Sequence, residues 1–534
     1  MKGLILTLAV AAAFWSAACN GGNGIVNPPP PVGKYALASL KGQYVFVTNG
    51  EVFTGVVATP LARTGVFNAD GQGKITGGVE DVNADGTTSL ALQISGGSYT
   101  VNADGRGTLT LDIPSNGSTS SINFGIVLTS TSDGLLIDET SNGNQASAGS
   151  GNFILQTGGP FTVSSVAGPY IFDFSGLDGN QTFPCPCSES FVGQFDVNNG
   201  GISTGFFDDN DDFQLASGAI TGQFSQDGVN PGFPIATFGR GVVQITNQNF
   251  VFYIVDASRV RLISTNGGML SGDAVAQSNN LPTQVSSINS SFAYIVAGSS
   301  GSGGVTRVGR FTATGSAVTN VLVDTNDSGN FILTNSGTNA SISLDPVIPG
   351  RGTLTFTDPK FPNAPSTYVF YLSSPAQGVI QETTSNQSGV VIVADGTIAD
   401  QTGSPFTSSN ISGTYALNWS GLSVQNSGSF AVQDEEDLLG QVAVSSLNSS
   451  GAADIFQFQN GVPVFDLVAS GSITINSSDG TGADGKRNTM SVKLVKSNST
   501  TVDFVVYFVS PQLAFFTNNQ NSNRIVAGIL KAQQ

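Results

Sequence analysis

Asp104-Gly105-Arg106-Gly107-Thr108-Leu109-Thr110-Leu111 sets an arginine between two glycines at the head of an alternating Thr/Leu run. Alternation with a period of two marks a strand with one buried face, and the Asp-Gly before it signals a turn. The stretch returns as Gly350-Arg351-Gly352-Thr353-Leu354-Thr355-Phe356 and as Gly239-Arg240-Gly241-Val242-Val243-Gln244-Ile245. An altered copy stands at Asp484-Gly485-Lys486-Arg487-Asn488-Thr489-Met490-Ser491-Val492. The chain is a four-fold repeat, so its fold is the fold of one unit used four times.

Other features recur in step with the arginine. An aromatic strand opens each unit, at Tyr44, Tyr170, Phe292 and Tyr415. These openings are roughly 120 residues apart, the length of a domain and too long for one rung of a solenoid. A Gly-x-Phe strand follows (Gly65-Val66-Phe67, Gly193-Gln194-Phe195, Gly309-Arg310-Phe311, Gly428-Ser429-Phe430), and each unit closes on a Gly-started strand ending near Gln156, Gln277, Gln401 or Gln533. About seven or eight strands fit in a unit, joined by short Gly, Asn, Asp and Ser turns that leave no room for crossover helices. The predicted class is all-β: four tandem antiparallel β-barrels of the lipocalin-like up-and-down kind, with β-sandwiches as the alternative. First and last strands that both recur favour the barrel, because pairing them removes exposed edges.

The expected division is a signal peptide with lipobox at 1–19, a tether at 20–37, and β repeats at 38–162, 163–280, 281–407 and 408–534. Units one and three share Glu139-Thr140-Ser141-Asn142 with Glu382-Thr383-Thr384-Ser385-Asn386, and a Pro-Phe-Thr exit at Pro160-Phe161-Thr162 and Pro405-Phe406-Thr407. That predicts a duplicated pair of units, each odd unit docking its exit onto the even unit after it.

Met1-Lys2 and the apolar run to Trp15 form a signal segment too short to span a membrane as a helix. Ser16-Ala17-Ala18-Cys19 resembles a lipobox, which makes Cys19 the lipidated residue, and Asn20 to Pro31 is tether-like in composition. The expected address is therefore outside the cytoplasm: the cell envelope, anchored by lipid at the outer membrane. A net charge of −18 with 19 basic residues scattered over 534 excludes nucleic acid as a partner, which requires clustered Lys and Arg.

The chain has no histidine, which removes Ser-His-Asp and Cys-His catalysis and His-ligated metals. Neighbouring acids such as Glu80-Asp81 and Asp434 to Asp437 point to opposite faces of a strand, a poor arrangement for a glycosidase pair. A non-enzyme is expected. Oxygen side chains at alternate positions before a turn (Asp81, Asn83, Asp85; Asp208, Asn210, Asp212; Asp324, Asn326, Ser328) match the opening of a calcium loop. They also match a hairpin turn, which is the preferred reading because the bidentate acid that completes a calcium loop is missing; no cofactor is expected, and calcium is the one candidate. Arg106, Arg240 and Arg351 are expected to pack over a neighbouring strand and pair with a local acid. Cys185 and Cys187 are a disulfide candidate, half a metal site at most.

Lipobox, tandem Gly/Asn/Thr-rich units, Gly-Arg-Gly-Thr-Leu-Thr strands and Asp-Gly turns together resemble the uncharacterised tandem-repeat β-rich surface lipoproteins common in Acidobacteria. That resemblance implies an envelope address and a repeat architecture. The expected function is non-enzymatic: tandem β domains for binding, adhesion or scaffolding, with a surface glycan or a protein as partner and the membrane engaged through the N-terminal lipid. The alternative is a carrier of small apolar ligands inside the barrels.

Overall fold

A computed structural model describes residues 34–534 except 55–56, 116–117, 143–144, 178–187, 267, 301–302, 335–337, 358–364, 385–391, 428–429, 458–463, 476–487, 496–499 and 521–523. Cys19, Cys185, Cys187 and Arg487 lie outside the described residues.

The chain forms four closed antiparallel barrels of eight strands each. The first runs from the strand Lys41–Thr54 to Gln145–Leu155, the second from Gly168–Leu177 to Met269–Ala276, the third from Asn289–Ser300 to Ile392–Asp400, and the fourth from Gly413–Ser427 to Arg524–Ala532. In each, the first strand pairs with the last: Tyr44 faces Leu155, Tyr170 faces Ala276, Phe292 faces Asp400 and Tyr415 faces Ala532. A sandwich leaves that pair unmade, so the alternative fold falls.

Side chains alternate across every wall. Tyr44 and Phe46 enter the core of barrel 1 while Val45 faces outward; Tyr170, Phe172 and Phe174 do the same in barrel 2. Aromatic rings fill the interiors at packing distance, with Phe172 and Phe174 centroids 4.7 Å apart and Trp419 and Phe504 5.3 Å apart. Gly65 sits where the second strand crosses Phe46; a Cβ there would stand 2.7 Å from the Phe46 ring, so the recurring glycine makes room for the ring of the opening strand. Its counterpart in barrel 4 is Gly440, opposite Ala453, and not Gly428 of the expected motif. The first hairpin of barrel 4 extends to Ser427 opposite Phe430, which puts Phe430 far from the register position of Phe67, while Gly428 and Ser429 lie outside the described residues.

The segment entering each barrel closes one end of it. Tyr35 and Leu40 belong to the core of barrel 1, Phe161 and Val166 to barrel 2, Leu281 and Ile288 to barrel 3, and Phe406 and Ile411 to barrel 4. Both Pro-Phe-Thr exits dock as expected, but Leu281 docks unit two onto unit three in the same way. The barrels are therefore not arranged as two pairs.

They form a ring. The outer face of the first three strands of each barrel packs against the sixth to eighth strands of the next. Val45, Val66 and Val79 meet Val251, Tyr253 and Ile263 between barrels 1 and 2, and Ile171 and Val192 meet Val369 and Tyr371 between 2 and 3. Ala293, Val308 and Leu322 meet Val505, Tyr507 and Phe515 between 3 and 4. Ala416 and Leu439 of barrel 4 then meet Val127, Leu135 and Ile137 of barrel 1, which completes the circle.

Candidate functional site

The expected calcium residues lie on the third strand of each barrel, and the structure turns them toward the next barrel. Asp81 is fully buried in the first seam, where its carboxylate receives Arg240 Nε at 2.9 Å and Nη2 at 2.8 Å and the Tyr253 hydroxyl. Arg240 also donates to Asp227 of its own barrel. The second seam repeats this: Asp208 receives Arg351 Nε at 2.8 Å, Nη2 at 2.7 Å and the Tyr371 hydroxyl at 2.5 Å, while Arg351 Nη1 reaches Asp345 at 3.1 Å. In the third, the Tyr507 hydroxyl donates to Asp324 at 2.6 Å. The fourth uses Asp454, opposite Leu439 as Asp324 is opposite Val308, and pairs it with Arg106 at 3.4 Å. Each described arginine of the opening motif thus bonds an acid of the preceding barrel, with a local acid as second partner for Arg240 and Arg351. Burial works against the charge of Asp227, but hydrogen bonds from the Arg240 guanidinium and from Asn230 outweigh it and lower the carboxyl to about 2.

The asparagines serve the same seams. Asn83 Nδ2 donates to the Ser264 and Gly268 carbonyls at 3.0 Å, Asn210 Nδ2 to those of Glu382 and Ile392, and Asn326 Nδ2 to Asn518 and Arg524. Asp85, Asp212 and Ser328 occupy hairpin tips with positive φ, followed by Gly86, Phe213 and Gly329 also at positive φ, the geometry of a tight two-residue hairpin. The three oxygens of each stretch therefore diverge to three different tasks. Among the described residues, no group of three or more acid or thiol side chains is placed to hold a metal ion.

The closing glutamines form a second clasp at every seam. Gln156 Nε2 donates to the Ile254 carbonyl, Gln277 Nε2 to Leu372 at 2.9 Å, Gln401 Nε2 to Phe508 at 2.6 Å and Gln533 Nε2 to Leu128 at 2.8 Å. The next amide bonds the following carbonyl: Thr157 to Val255, Ser278 to Ser373, Thr402 to Val509 and Gln534 to Thr129.

Acids accumulate in two places along the ring. At the seam of barrels 4 and 1, burial raises Glu139 to about 9, helped by Asp454 and Asp138 and opposed by Arg106. Glu435 and Asp437 are raised there too, foremost by burial. Between barrels 2 and 3, Asp173 and Asp395 lie together, both raised by burial. Asp395 borders a cavity of about 390 Å³ shared with Gly421, Asn418 and Ala527 of barrel 4.

Inside the barrels the odd and even units differ. Arg63 in barrel 1 and Arg307 in barrel 3 hold equivalent interior positions, opposite Thr48 and Val296; barrels 2 and 4 have Phe191 and Leu438 there. Arg307 donates to Glu382 at 2.5 Å and to the Tyr368 hydroxyl at 3.2 Å. Arg63 faces Glu80 at 3.4 Å and Asp138 at 3.6 Å. The shared Glu-Thr motif of the odd units marks this cluster, shifted by one residue: Asp138 opposite Phe124 matches Glu382 opposite Tyr368. Burial lifts Glu80 to about 7, with Asp138 and Asp81 adding to it and Arg63 opposing. Glu80 is inside barrel 1 and Asp81 outside, the opposite facing expected of neighbours on a strand.

The fold and seams define a class: a ring of up-and-down barrels joined by ionic and amide clasps. No family model and no curated protein matches the chain. Among solved structures it is similar to a double mutant of the vaccine antigen Transferrin Binding Protein B from Haemophilus parasuis Hp5 (TM-score 0.20, 11% identity, 97% of this chain and 98% of that one). It is similar also to isotype 1 Transferrin binding protein B from serogroup B Neisseria meningitidis (0.20, 10%, 75% and 84%) and to CghA with Sch210972 (0.18, 8%, 67% and 88%). With TM-scores of 0.18 to 0.20 the strand arrangements do not superpose, and the architecture of this chain rests on its own pairing.

Proposed function

We propose that the chain is a non-enzymatic cell-envelope lipoprotein, held at the outer membrane through Cys19, whose barrels act together as one rigid body that binds a surface glycan or a protein. The observation that carries this reading is the closed circle of seams, in which Gln533 and Asp454 repeat toward barrel 1 the bonds that join every other neighbouring pair. A rigid ring holds the outer strands and loops of its barrels in fixed relation, so several weak contacts add without a further ordering cost. A carrier of apolar ligands has less behind it, because the interiors are occupied by rings such as Phe172, Phe174, Trp419 and Phe504. Calcium has no part in the proposal, since Asp81 and Asp208 are held by guanidinium groups.

Fractionation of cells producing the full chain and its Cys19→Ser variant tests the address: the parent sediments with membranes and the variant is released. Cosedimentation of the released protein with isolated envelope polysaccharide and with intact cells tests binding. A Cys19→Ser protein that stays with the membranes, or a folded ring that binds neither material, refutes the proposal.

A further inference from the structure

Barrel 1 differs from the other three at one end. A cavity of about 320 Å³ opens there, lined by Arg63, Glu80, Ser121, Thr140 and Ser147 on its polar side and by Leu92, Ile113 and Pro114 on its apolar side. Glu80 is 1% exposed, and its Oε2 has no hydrogen-bond partner; neither has Arg63 Nε. In barrel 3 the matching arginine gains a phenol, Tyr368, where barrel 1 has Phe124, and the position of Glu80 is taken by Val323, opposite Gly309 as Glu80 is opposite Gly65. The acid and the space at this end of barrel 1 thus go beyond what the shared fold requires.

We propose that this end of barrel 1 binds a neutral, polyhydroxylated molecule the size of a monosaccharide, held by Glu80 and Arg63. The inference rests on the binding reading above and supplies it with a site and a ligand class. Charge decides the class. An anion entering the cavity meets two carboxylates against one guanidinium, and a cation has to give up its own hydration beside the Arg63 charge; a neutral hydroxyl avoids both costs. A hydroxyl group donates to the Glu80 carboxylate and accepts from Arg63 while the ion pair persists. Thr140 and Ser147 offer further hydroxyl partners, and the C–H face of a sugar ring suits Leu92, Ile113 and Pro114. A volume of about 320 Å³ lies at the small end of ligand cavities. The lining has no aromatic ring to stack on a sugar, so millimolar affinity is expected.

Saturation-transfer NMR on the full chain with glucose, galactose, mannose and N-acetylglucosamine tests the site, with methylammonium and acetate as the cationic and anionic probes. At least one sugar is expected to show saturable transfer. Glu80→Gln, which keeps the shape, is expected to weaken it by about tenfold, the loss of one hydrogen bond to a charged acceptor. Leu92→Trp is expected to abolish it by filling the cavity; Ile113→Trp does the same should Leu92→Trp not fold. Val347→Ser, on an exposed loop of barrel 3, leaves it unchanged. No transfer from any sugar, equal transfer in the parent, Glu80→Gln and the cavity-filling variant, or stronger transfer from methylammonium or acetate overturns the proposal. Cosedimentation with envelope material that survives Glu80→Gln and Leu92→Trp overturns this site alone and leaves the binding reading standing.

Discussion

At the residue scale, the chemistry of Arg240 was legible and its partner was not. A guanidinium recurring at the head of a half-buried strand requires an equally recurrent acid, and Asp81, Asp208 and Asp324 were visible at the same period. They were assigned to turns because Asp85-Gly86 follows two residues behind Asn83, and short-range turn chemistry is easier to see than a bond across 159 positions of sequence. Arg240→Met strands Asp81 and Asp227 without a cation, and breaking a buried pair in this way costs about 3–5 kcal/mol. Calorimetry of the variant against the parent measures the loss. Glu139 adds a dependence on pH. Its folded value of about 9 stands above the ordinary 4.5, so the folded chain holds the proton more tightly than the unfolded one. The resulting stability is whole below about pH 4.5 and is lost as pH rises toward about 9; Glu80 acts with the same sign between 4.5 and about 7. The melting temperature is expected to fall from about pH 5 to about pH 9, and Glu139→Gln to flatten the slope.

At the scale of elements, period and alternation located the repeated strands because each barrel wall has one wet or seam-facing side and one core side. The failure in unit four has a physical cause. Gly428-Ser429-Phe430 has the composition of the recurring motif, but only Gly440 stands across from the core strand at Leu417, and a longer hairpin separates the two. The role of the closing glutamine was invisible, since a polar residue at a strand end is as easily solvated as bonded. Gln156→Ala is expected to leave the Ile254 carbonyl without its side-chain donor and to cost about 1–3 kcal/mol. Hydrogen exchange should show it as faster exchange at Thr157, whose amide bonds Val255 next door, with the interior of barrel 2 unaffected.

At the scale of the whole molecule, a unit that docks its first strands on the last strands of the next makes a head-to-tail contact, and such contacts give either an open filament or a closed ring. Four barrels close here. Three of the seams join barrels that are consecutive in the chain, whereas the fourth brings together residues as far apart as Tyr35 and Gln534, which share a hydrogen bond of 3.0 Å. That seam also gathers acids raised by burial, Glu139, Glu435 and Asp437, so it is the place where the ring opens first. Ala416 is fully buried there although it lies on the outer face of barrel 4, packed on Val127, Leu135 and Ile137. Ala416→Arg drives a long side chain into the packed contact with Val127, Leu135 and Ile137, at a site where the wall of barrel 4 gains nothing from an alanine except contact with barrel 1. The expected result is a larger radius of gyration by small-angle scattering with unchanged strand content by circular dichroism, since each barrel keeps its own closed sheet. The equivalent change at Ala293, in the seam of barrels 3 and 4, is expected to expand the molecule less, because the chain itself still tethers those two barrels. Equal expansion in the two variants, or none in Ala416→Arg, would show that the fourth seam does not hold the ring closed.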